Sequence, residues 1–169
     1  MKKLIALILV AVMAVSMVAC GSKAADKAPL EGTMEENVMK IMEIAPVEFM
    51  GGAIPVDLAD NDSVFYFTGL SSAENITDVS VYEPMMGSQA FSLVMVRTAE
   101  GADPKAVAEE MKAGIDPRKW ICVGADEIMA AGYGDTVMFI MLDSQLGLSA
   151  QSYVDAFQQV AGAELDFTI

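Results

Sequence analysis

"ITDVSVYEPMMGSQAFSLVMVRT", Ile76 to Thr98, carries two apolar runs rich in β-branched and aromatic residues, Ile76 to Tyr82 and Phe91 to Thr98. The "EPMMGSQA" between them is shorter than the dozen or so residues a parallel crossover needs, so the two runs predict antiparallel neighbouring strands. An earlier run, Val64 to Thr68, joined through "GLSSAEN", predicts a third strand of the same group.

Outward from this group the chain turns helical. Asp103 before Pro104 predicts a helix start, because proline at the first helical position loses only a donor that has no partner there. Val107, Met111 and Ile115 fall on one face, and Gly114 predicts a left-handed stop. Trp120 to Val123 and Glu127 to Ala131 predict short strands, and "TVMFIML", Thr136 to Leu142, a central strand buried on both faces. Ser149 predicts the cap of a last helix that Gly162 ends. Upstream, Thr33 and Glu36 form a capping-box pair ahead of Met34, Val38, Ile41 and Met42, a helix that stops at Pro46. Glu48 to Ser63, rich in glycine, proline and aspartate, predicts a loop. The fold class expected is α+β: a mainly antiparallel sheet with helices packed on one face, in the order αβββαββα.

The first twenty residues give an address. Lys2 and Lys3 precede sixteen uncharged residues, Leu4 to Ala19, and then Cys20, Gly21 and Ser22. That is a secretory signal, too short for a permanent span. Val18, Ala19, Cys20 and Gly21 resemble a bacterial lipobox, with Met17 where leucine is more usual; the resemblance implies that the Cys20 thiol is lipidated and becomes the first mature residue. The expected organisation is a signal peptide over 1–19, a lipidated cysteine and flexible tether over 20–32, and a single domain over 33–169. The localisation that follows is the extracytoplasmic face of the cell membrane, with the membrane bound through the lipid anchor.

Net charge is −14, and removal of Lys2 and Lys3 takes it to −16. Such a surface repels nucleic acid phosphates and anionic headgroups, which excludes nucleic acid as a partner. With Cys20 lipidated, Cys122 has no partner for an intramolecular disulfide. Cys122, between Trp120, Ile121 and Val123, is expected as a small core hydrophobe of a strand.

The chain holds no histidine. The usual triads lack their base, and Ser71, Ser72 and Ser88 stand in no G-x-S-x-G elbow. No catalytic residue and no cofactor is expected. Asp57, Asp60, Asn61 and Asp62 offer oxygen ligands of the kind calcium takes, yet miss the EF-hand spacing; a hydrated turn is the alternative. After Lys40 every basic residue (Arg97, Lys105, Lys112, Arg118, Lys119) lies within twenty-three positions. Arg97, Arg118 and Lys119 are the candidate binders of an anionic ligand or partner, against the alternative that they pair with the acidic excess. Met85 and Met86, an apolar pair in a loop, are the second candidate surface.

"MGSQA", "RKWICV" at Arg118 to Val123 and the following Ala125 and Asp126 resemble an uncharacterised lipoprotein family of Gram-positive bacteria, the domain of unknown function four-three-five-eight, over Val79 to Gln159. The resemblance implies an envelope address and carries over no established enzymatic activity. The function expected is a membrane-anchored binding or scaffolding module of the cell envelope, with an envelope protein or polymer as partner. The alternative is an accessory subunit or enzyme of envelope polymer modification, using carboxylates near "DPRKWICVGAD".

Overall fold

In the computed structural model, which describes residues 27–169, Thr33 closes a full capping box: its hydroxyl accepts from Glu36 N at 3.1 Å and its own N–H donates to Glu36 Oε2 at 3.0 Å. Helix α1, Met34–Ile44, follows and buries Met34, Val38, Ile41 and Met42. The signal segment and Cys20 lie outside the described residues. Among the described residues no helix is long and apolar enough to cross a membrane.

The domain begins before Thr33. Leu30 is buried, Lys27 Nζ pairs with Asp166 at 2.6 Å, and Arg97 donates to the carbonyls of Leu30 and Gly32. Residues 27–32, expected as tether, are therefore fastened to the domain through Lys27, Leu30 and Gly32.

Strand β1, Gly51–Pro55, lies inside the segment expected as a loop. Its glycines hide the strand periodicity, and one of them is required: a Cβ on Gly51 would stand 2.5 Å from the Tyr82 ring. Helix α2, Asn61–Thr68, replaces the strand expected at Val64 to Thr68. Here the caps overrule composition. Asp60 accepts from Asp62 N and Ser63 N, and Gly69 stops the helix at φ 76°.

Strands β2, Ile76–Pro84, and β3, Phe91–Thr98, pair antiparallel as expected. Helix α3, Pro104–Gly114, starts at Asp103, which accepts from Lys105 N at 3.0 Å. Gly114 is its last residue rather than a left-handed stop. It is needed for close approach, since a Cβ there would lie 2.1 Å from the Gly69 carbonyl oxygen, at the contact of α2 with α3. Strands β4, Glu127–Tyr133, and β5, Thr136–Leu142, form a second hairpin. Helix α4, Ala150–Ala161, begins after Ser149, whose side chain makes no cap bond; Glu127 Oε2 takes the Ala150 N–H at 2.7 Å instead. A two-residue strand, β6, Phe167–Thr168, closes the chain beside β4.

The fold is α+β. Six antiparallel strands run in the order β1-β2-β3-β5-β4-β6. The expectation of helices on one face is corrected: α1 and α4 cover one side over Phe91, Leu93, Met138 and Ile140, while α2 and α3 cover the other over Val94, Val96, Val137 and Phe139. Every residue of β5 is buried, as two covered faces require, and a sheet with one wet face would have alternated.

Candidate functional site

Arg97, Arg118 and Lys119 do not converge. Arg97 sits at the end of the sheet beside the β4–β5 turn, where its Nε faces Asp135 at 3.5 Å and its Nη2 fastens residues 30 and 32. Lys119 and Arg118 stand at the other end, where β2 finishes and β4 begins. Arg97 is thus a clamp on the N-terminal segment, and Arg118 alone of the three projects from an exposed residue.

Lys119 is nearly sealed from solvent, with 3% of its side chain exposed. Its ammonium lies 2.6 Å from Glu83 Oε1, donates to the Tyr66 carbonyl, and faces the rings of Tyr66, Phe67 and Trp120 at 4.5, 5.3 and 5.4 Å. Burial pulls the Lys119 pKa below its ordinary value, and the Glu83 charge, with Asp116 behind it, opposes that pull. Burial and the same Glu83 charge push the Tyr66 hydroxyl up.

Trp120 to Val123, expected as a strand, is an irregular turn. Asp116 Oδ1 accepts from Arg118 N, and Ala125 N closes the loop onto the Pro117 carbonyl at 2.8 Å. Trp120 is the side chain this turn packs against the core, and the two residues after it point out. Cys122 is exposed and holds φ 62°, the one non-glycine at positive φ among the described residues. The expectation that it fills the core is corrected.

The acidic groups serve the backbone. Asp57 accepts from Ala59 N, while Asp60 caps α2 and takes the Ser63 hydroxyl at 2.6 Å, which holds its carboxyl below the ordinary range. Asp62 lies in the first turn of α2. Among the described residues no group of three ligating side chains is placed to hold a metal. Asp126 accepts from Ser144 N at 2.7 Å and Ser144 Oγ at 2.6 Å, and these bonds lower its pKa. Three surface depressions of about 600, 330 and 460 Å³ lie away from "DPRKWICVGAD": on α1 around Met39, at Pro46 and Tyr153, and between Lys27 and Gly101.

What the loop at 115–126 does build is an apolar rim. Met50, Met85, Met86 and Ile121 are 77, 75, 65 and 73% exposed. Three distant segments meet here: Met85 N donates to the Met50 carbonyl at 2.9 Å, and Ile121 N to the Gly87 carbonyl at 2.8 Å. Exposed apolar residues gathered at one end of a sheet are candidates for an interaction surface. Met85 and Met86 were legible as an apolar loop pair; Met50 and Ile121 carry no local signal, because only the two backbone bonds bring them together.

No family model, curated protein or solved structure matches this chain.

Proposed function

We propose that the protein is a lipid-anchored extracytoplasmic module that binds an envelope partner through the rim of Met50, Met85, Met86 and Ile121, without catalysis of its own. The observation that carries this reading is the rim itself: four large apolar side chains held in solvent by main-chain bonds and braced from below by the Lys119–Glu83 pair. The seven steps from Cys20 to Lys27 reach at most about 25 Å. Lys27 stacks on Tyr133 at the β4–β5 end of the sheet, opposite the rim. A chain anchored at Cys20 is held by one end and offers the rim at the other, which favours a protein or polymer partner over the bilayer.

The test is affinity capture of the full chain from membranes, comparing the native protein with Met86→Glu/Ile121→Glu. The expected result is a partner recovered with the native protein and lost with the variant, whose melting temperature is unchanged. A partner retained equally by both overturns the rim as the binding surface. The native protein is expected to carry acyl chains on Cys20 by intact-mass measurement of its N-terminal peptide, and an unacylated Cys20 overturns the lipid anchor.

A further inference from the structure

Strand β1 is an edge whose protection is limited to its short length and one proline. From Phe49 to Val56 the chain carries no charge, in a protein whose net charge is −14. The only protective residue is Pro55, at the last position. The pairing of β1 with β2 sets Gly52 opposite Glu83 and Ile54 opposite Val81, with Met85 N bonded to the Met50 carbonyl and Val56 N to the Val79 carbonyl. Met50, Gly52, Ile54 and Val56 are therefore the residues bonded inward. By the alternation of an antiparallel ladder, the N–H and C=O of Gly51 and Ala53 point away from the sheet.

We infer that β1 pairs antiparallel with β1 of a second copy about a two-fold axis at Gly52, joining the two sheets into one. This register is self-complementary. Gly51 of each copy faces Ala53 of the other, and each of these two pairs exchanges two hydrogen bonds, so the outward groups of Gly51 and Ala53 are all used. The same register sets Met50 opposite Ile54 of the other copy twice over. Both are exposed apolar residues, Ile54 at 49%, and both lie on the β1 face that carries Gly52. Pro55 faces Phe49 of the other copy at the next bonded position, where it can accept but not donate, so the ladder ends there. A symmetric patch that satisfies itself is what an isologous dimer needs. Glu48 and Asp57 flank the uncharged run and meet as like charges at each end, so added salt strengthens the pairing. The edge is short, and confinement to a membrane raises the effective concentration that a short edge requires. The pairing goes beyond the binding role of the rim: it shares Met50 with it and uses neither Met86 nor Ile121.

The test is disulfide cross-linking of the full chain in membranes, in a Cys122→Ala background. Gly52→Cys is tolerated, since a Cβ there meets no atom within 4 Å. On the axis it forms a non-hydrogen-bonded pair with Cα atoms about 4.5 Å apart, within disulfide range. The expected result is a linked dimer at roughly ten-fold the yield of the exposed control Gln158→Cys, rising with salt. Ile54→Cys alone, about 13 Å from its own copy, stays monomeric but links to Met50→Cys when the two are mixed. Dimer from Ile54→Cys alone, or Gly52→Cys at the control yield, overturns the inference. Met86→Glu/Ile121→Glu leaves the Gly52→Cys link in place, so failure of the rim and failure of the edge are read separately.

Discussion

Lys119 Nζ lies 2.6 Å from Glu83 Oε1 in a pocket walled by Tyr66, Phe67 and Trp120, and this contact ties the loop after α3 to the end of β2. Glu83 is two residues from Met85 and Lys119 two residues from Ile121, so one buried ion pair fixes both sides of the rim. Breaking such a pair strands a charge. Glu83→Gln is expected to cost about 3–5 kcal/mol by chemical denaturation, while Glu83→Leu/Lys119→Met recovers much of that loss. Equal losses in the single and double variants contradict the pairing.

Tyr153 is 1% exposed and its hydroxyl finds no hydrogen-bond partner among the described residues. Burial, with the nearby Tyr82, pushes its pKa up to about 12 from 10.0. A raised folded-state value means that stability is fully present below pH 10 and lost as pH rises toward 12, by about 2–3 kcal/mol. Tyr153→Phe is expected to flatten that alkaline loss and to match or exceed the native stability at pH 7, because it removes an unpaired buried group. Urea titrations at several pH values measure both.

Gly114 and Gly69 touch backbone to backbone, with no flexible side chain to give way. In an ordinary helix Gly→Ala would stabilise. Here Gly114→Ala is expected to lower stability by about 1–3 kcal/mol, as overpacking does, and a gain in melting temperature would show that α2 and α3 separate freely.

Arg97 is a candidate ligand binder in the sequence, with pairing to the acidic excess as the alternative; in the structure it faces Asp135 and clamps residues 30 and 32. Arg97→Ala is expected to cost about 1.5–3 kcal/mol and to open residues 27–32 to protease, with partner capture through the rim unchanged. Arg118→Ala, at an exposed residue, is expected to leave the stability within about 0.5 kcal/mol of native.

The parts of the fold that local physics decides were legible. The Thr33–Glu36 box, the Asp103–Pro104 start and the continuous apolar runs of β3 and β5 each carry their own signal. Those same runs also spoke for two covered faces, a cue that the one-faced architecture set aside. Where a signal was ambiguous, composition misled. "VFYFT" has strand residues, but Asp60 and Gly69 cap it as a helix. Strand β1 exists because β2 offers an edge and Gly51 clears the Tyr82 ring, neither of which is visible within five residues. The two-residue β6 depends wholly on β4. The site was half legible for the same reason: Met85 and Met86 are neighbours in sequence, whereas Met50 and Ile121 join them only through long-range main-chain bonds. Cys122 was misplaced because a strand was expected where Trp120 alone turns inward.

The most direct test of the account is a photo-cross-linking residue placed at Ile121 of the full chain in intact cells, with Gln158 as the exposed control on α4. The account requires a discrete adduct from position 121 that is absent from position 158 and lost when Met86→Glu is added. Adducts of equal yield from both positions, or none from position 121, would contradict a binding surface at the rim.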